Sequence, residues 1–163
     1  MKNKTNEKAC CFYVSKNHLL VILISYLKDN LKEKENLTLF VEDDFEKEKK
    51  LILNTIEIKD FIKKKIIDKS WNNSYEENNI DKVDKNLTGI VIIQGSYEYI
   101  REINNKLKNN MKIKIINCYK FTDFKQNSTK ILEKHGRIVN TTGEHEILEF
   151  FSKKIEKNPI LTK

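Results

Sequence analysis

The chain has 163 residues, a net charge of +7, 39% hydrophobic and 34% charged residues, four Gly and one Pro. That length suits one domain with a real core, and the composition excludes collagen-like, Pro-rich and mucin-like classes. The longest apolar run, Leu19–Ile24, is far short of the ~20 residues of a membrane span, and Met1–Lys8 lacks the following apolar stretch of a signal peptide, so a cytoplasmic protein with no membrane segment is expected.

The basic balance, with a pI near 9.1, raises the question of nucleic acid. Of the 31 basic residues, however, only Arg101 and Arg137 are arginine. Lysine is a hydrated point charge, whereas base and phosphate forks are usually built from guanidinium. A solvated lysine surface is the expectation, and nonspecific nucleic-acid binding is a lesser alternative.

From the amino terminus, residues 1–8 read as a flexible tail, 9–157 as a single α/β domain and 158–163 as a C-terminal tail. Ala9-Cys10-Cys11-Phe12-Tyr13-Val14 is a short apolar run of the kind a buried strand carries. On a strand, adjacent Cys10 and Cys11 point to opposite faces and cannot easily clasp one metal. With Cys118 they make an odd number without CxxC spacing, which leaves no disulfide framework and predicts buried reduced thiols.

Ser15 or Asn17 can cap a helix in which Leu19, Leu20, Leu23, Ile24, Leu27 and Leu31 recur at three- and four-residue steps. Leu37–Val41 is a second strand, followed by Glu42-Asp43-Asp44, where Asp44 can cap the next helix. Residues 45–56 and 59–67 read as helical or broken-helical. The Asn-rich stretch 72–86 has few large apolar groups and reads as an exposed loop.

Gly89–Ile93 is the clearest buried strand, and it ends in Gln94-Gly95-Ser96 before a helix carrying Tyr99, Ile100, Ile103 and Leu107. A strand over 113–118, a helix over 127–134, a last strand over 137–140 and a closing helix over 144–155 complete the pattern. Strand followed by helix, repeated, predicts an α/β fold: an open, mainly parallel sheet of about five strands flanked by helices, a Rossmann-like three-layer sandwich.

Two stretches carry a family resemblance. Cys10-Cys11-Phe12-Tyr13, Leu19-Leu20, Ser25-Tyr26-Leu27, Leu31 and Leu37–Val41 form one; Ile116-Asn117-Cys118-Tyr119, Phe124, Ile131-Leu132, His135 and Ile138-Val139 form the other. Together they resemble the MEDS domain, a sensory domain of methanogens and methylotrophs. The chain departs from that family at Lys8 and Ala9, where a His often stands, and residues 45–88 align with nothing in it. The resemblance implies a RecA- or KaiC-like fold, and a sensory or regulatory role without catalysis.

The Walker phosphate cradle, Gly-x4-Gly-Lys-Ser/Thr, is missing, and Ser15-Lys16-Asn17-His18 stands at the strand-to-helix turn it would occupy. Nucleotide hydrolysis is therefore not expected. Ligands of open α/β sheets sit at the carboxyl ends of the strands. A small polar ligand is accordingly expected in the crevice after Val14, Val41 and Ile93, touched by Tyr13, Ser15, Asp43, Gln94, Gly95 and Ser96. Gly95 would let it approach the backbone, so that a bulky residue there would spare the fold.

Glu42-Asp43-Asp44 resembles a Mg2+-holding strand end, but without a phosphate loop it predicts no more than weak binding. His135 reads as a cationic cap at a helix end. Cys118, Glu144 and His145 could build a metal or hydrolytic site, but no spacing supports one; the alternative function is an enzyme of nucleotide or thiol chemistry using the strand-end rim, with Cys118 or the acidic Glu42-Asp43-Asp44 group as its reactive element. No cofactor is expected. The partners expected are a small molecule or a regulatory protein, and a homo-oligomer is compatible with the sequence.

Overall fold

Strand β1 (Glu7–Tyr13) sends Ala9, Cys11 and Tyr13 to one face and Cys10 and Phe12 to the other, and this alternation divides the molecule into two cores. The computed structural model describes residues 6–72, 83–84 and 86–148. The chain continues through α1 (Lys16–Asn30), β2 (Leu37–Val41), α2 (Glu46–Leu53), α3 (Asp60–Asp68), β3 (Gly89–Gln94), α4 (Tyr97–Leu107), β4 (Ile113–Lys120), α5 (Phe121–Lys134), β5 (Arg137–Asn140) and β6 (Gly143–Glu146). The strands form one sheet in the order β2-β3-β4-β1-β5-β6, parallel up to β5, with β6 antiparallel at the edge.

The predicted α/β class and mainly parallel sheet are therefore present. Helices α1, α2 and α3 cover the face of Cys11 and Tyr13, and α4 and α5 cover the face of Cys10. Helix α1 is buried around much of its circumference, at Leu19, Leu20, Ile22, Leu23, Ile24, Tyr26 and Leu27. It must cross β4 and β3 to deliver the chain to β2, and α2 packs on its outer side. Helix α5 is the opposite case: Ile131 is its one buried residue, with Phe124 and Leu132 only partly covered.

The sheet departs from the expected outline in several places. It has six strands, because Gly143–Glu146 is a strand where a helix from Glu144 was predicted. Gly143 at φ 110° and the Thr142 amide, which donates to Asn140 Oδ1 at 2.9 Å, make a tight turn that folds the segment back on β5. Helical backbone resumes at Ile147 and Leu148; the rest of the predicted closing helix lies outside the described residues.

Helix α5 begins at Phe121 rather than Asn127, and Asn127 (φ −128°, ψ 22°) is a kink within it. Strand β1 opens at Glu7, inside the predicted tail, while Val14 lies beyond its end and is exposed. Of the predicted loop 72–86, only Asn72, Val83, Asp84 and Asn86 are described, and residues 158–163 lie outside the described residues.

Trp71 closes the α3 side of the larger core. Its indole is fully buried and donates to the Ile66 carbonyl at 3.0 Å, and its backbone bridges Phe45 and Glu46. Removing the fully buried ring would leave a cavity between the β2–α2 turn and α3. Trp71→Ala is expected to destabilise by about 3–5 kcal/mol, read as a lowered urea midpoint. As the single tryptophan of the chain, Trp71 also reports unfolding directly by its fluorescence in the parent protein.

Candidate functional site

The carboxyl ends of β1, β2 and β3 carry the residues that sequence marks as a ligand rim. The centre is Gln94, fully buried, whose residue position is opposite Cys118 in β4. Its amide oxygen accepts from the Glu42 and Asp43 backbone N–H groups at 3.1 and 3.2 Å. Its amide nitrogen donates to Tyr13 Oη at 2.8 Å and to Asp43 Oδ2 at 2.6 Å. All four hydrogen-bonding positions of the amide are thus filled from within the chain.

The remaining rim residues are likewise engaged. Ser15 Oγ accepts from the His18 N–H at 3.1 Å and caps α1; Ser96 Oγ accepts from the Tyr99 N–H at 3.2 Å and caps α4. Glu42 Oε1 accepts from the Ser96 N–H at 2.9 Å, and Asp44 Oδ1 accepts from the Glu46 N–H at 2.9 Å. A Cβ on Gly95 would stand 2.7 Å from the Tyr99 ring and 2.9 Å from Glu42 Cβ. Its missing side chain makes room for the protein's own groups, so the expectation that a bulky residue there spares the fold is corrected.

Tyr13, Asp43 and Gln94 are therefore brought together, with Glu42, Gly95 and Ser96 beside them, while Ser15 serves its own helix. The Val14–Ser15 turn is also closed: the Val14 N–H donates to His18 Nδ1 at 3.1 Å. A phosphate cradle needs such amides pointing outward, and that of Val14 points at the chain. The predicted acidic run has its carboxylates on backbone and amide donors, and among the described residues no group of three His, Cys, Asp or Glu side chains is placed to hold a metal ion.

The thiols are core groups. Cys10, Cys11 and Cys118 are all buried. Burial pushes the Cys10 thiol up to about 12, and burial and the neighbouring Cys11 hold Cys118 well above the ordinary thiol range. Neither is a nucleophile at neutral pH. Glu144 is held by Lys114 and Arg137, and Lys114 stands at the amino-terminal end of β4, four residues along the strand from Cys118, so the pair does not form a site.

A concave site lies elsewhere, between α4 and α5 over β4 and β1. It holds about 270 Å3 and is lined in part by Tyr97, Ile100 and Tyr119. The sparse apolar face of α5 leaves this groove open. Its floor is a polar chain: Asn117 and Asn104 exchange amide hydrogen bonds at 2.9 and 3.2 Å, and Asn117 Nδ2 donates to His135 Nε2 at 2.9 Å. His135 Nδ1–H donates to the Ile131 carbonyl at 2.6 Å, which fixes the neutral tautomer.

His135 is therefore not the cationic helix cap expected. Burial lowers its pKa to about 4, aided by Lys8 and Lys134, and outweighs the Ile131 hydrogen bond. Lys8, Arg101 and Lys134 stand around the same groove. A wider depression beside Asn54–Lys59, about 1030 Å3, has no buried polar side chain in its lining.

The sequence brings up Asn117 and Lys8 only through the family resemblance, with no site role, and does not bring up Asn104. The available signal was Asn117 itself, a polar residue at an interior position of the apolar run Ile113–Cys118. Comparison with protein-family models, curated proteins and solved structures finds no match to this chain.

Two measurements check this geometry. Gly95→Ala is expected to lower stability by about 1–3 kcal/mol in urea unfolding, through collision with Tyr99 and Glu42. For His135, the unfolded chain takes up a proton near pH 6.5 whereas the folded chain resists until about 4. The stability tied to its neutral form is fully present above pH 6.5 and is lost as pH falls toward 4, by about 3 kcal/mol. Urea unfolding of the parent and of His135→Gln at pH 7 and pH 4.5 should show a shallower pH slope in the variant.

Proposed function

We propose that this chain is a non-catalytic sensory or regulatory module that binds a small ligand and signals through a changed surface. The observation that carries the reading is the contrast between two places on one sheet. At the strand ends, where nucleotide chemistry would be expected, the Val14, Glu42 and Asp43 amides and the Gln94 side chain are bonded within the chain. Between α4 and α5, a groove of about 270 Å3 has a preorganised floor in which Asn104, Asn117 and His135 are already paired.

The resemblance to the MEDS domain in both its stretches supports the same reading. A thiol enzyme would need a reactive cysteine, and burial of Cys118 argues against that alternative. Signalling also fits the loose seating of α5, whose few buried contacts would let an occupied groove shift the helix and the surface it presents.

Purified protein incubated with Mg2+ and ATP or GTP is expected to release no phosphate above the blank. A steady hydrolysis rate that disappears in Glu42→Ala/Asp43→Ala would overturn the proposal.

A further inference from the structure

We infer that the α4–α5 groove is a site for a small organic anion, with its acid group between Lys8 and Lys134 and its apolar body against Tyr97, Ile100 and Tyr119. This rests on the small-ligand reading above and names the class of ligand.

The charge around the groove is one-sided. Lys8, Arg101 and Lys134 line it, and no lining residue is Asp or Glu. Arg101 pairs with Glu98 on the exposed side of α4, and Lys134 stands 5.8 Å from the Tyr97 ring centroid. Lys8 is different: it rises from a strand, is half-buried, and has no acidic partner among the described residues.

The neighbouring strand offers an internal comparison. Lys114 on β4 also rises from the sheet, on the opposite face, and there Glu144, Glu7 and the Tyr26 ring surround it. Burial alone would lower its pKa, but Glu144 and Tyr26 outweigh burial and raise it. For Lys8 both burial and Lys134 act downward. One buried-side lysine is thus neutralised by the fold and the other is left facing a second cation, an arrangement an anion would relieve.

The floor suits the same ligand. Because Asn104, Asn117 and His135 satisfy one another and His135 is neutral, nothing there competes with the anion for Lys8. The volume is near the lower end of small-molecule sites, roughly 300–1,000 Å3, and so fits about one ring with its acid group. Two tyrosine rings and Ile100 supply the apolar wall.

The test uses three probes of one shape, benzoate, phenyl phosphate and neutral benzamide, titrated at low salt and pH 7 and followed by amide chemical shifts. One or both anions should bind with shifts on α4, α5 and Lys8, and benzamide should bind at least about tenfold more weakly, as loss of a charge-assisted contact requires. The stronger of the two anions identifies the head group as carboxylate or phosphate. Lys8→Met should weaken the anion by at least about tenfold while leaving the unliganded protein as stable as the parent or more so, and Lys8→Arg should keep binding. Lys47→Met, on exposed α2, should change nothing. Equal binding of benzamide, unchanged binding by Lys8→Met, or no binding of either anion would overturn the site. Phosphate release from ATP or GTP judges the regulatory reading separately.

Discussion

The Gln94 side chain is the joint on which the strand ends depend. It lies fully buried and takes hydrogen bonds from the turn after β2 while giving hydrogen bonds to β1 and Asp43. Strand β4 separates β3 from β1, so this contact ties together strands that do not pair. A buried amide with all its positions filled fixes geometry without leaving a desolvated group. Next to it, Glu42 accepts from the Ser96 N–H, Ser96 caps α4, and Gly95 lies against Tyr99 and Glu42.

Away from that joint, the two faces of the sheet differ in kind. The face under α1, α2 and α3 is a continuous apolar core closed by Trp71, with Gln94 at one end and Lys114 at the other, each satisfied by partners within the chain. The face under α4 and α5 places Asn117 and His135 where aliphatic side chains would otherwise meet. The first arrangement gives cohesion and little chemistry. The second sacrifices packing along α5 and gains a concave, polar-floored space. Charge follows the same division, since Lys114 is compensated on the closed face and Lys8 is not on the open one.

Much of the architecture was legible in the sequence because its signals are periodic. Leu19 to Leu27 announced a helix, Gly89–Ile93 a central strand, and the alternation of such segments a parallel sheet. Where periodicity was weak, the reading slipped: Gly143-Glu144-His145-Glu146 has no apolar stripe, and its turn is set by Gly143 at φ 110° with the Asn140–Thr142 hydrogen bond. The rim residues were found as a group, but strand order was not derivable, and without it Tyr13 and Gln94 could not be seen to meet across β4. The floor of the groove was hidden for a related reason. Asn104, Asn117 and His135 are separated by 13 and 18 residues and converge only once α4 and α5 lie on the same face.

The short edge strand β6 has one more consequence. With Glu144 and Glu146 in four residues and Arg137 beside them, it presents a charged border that resists addition of another strand. The opposite border is β2, whose Leu37–Val41 is apolar and, among the described residues, has a partner only in β3. Among the described residues the sheet is thus blunted at one end and plain at the other. Two copies joined edge to edge through β2 would present β6 at both extremities, which is the symmetry of a closed pair.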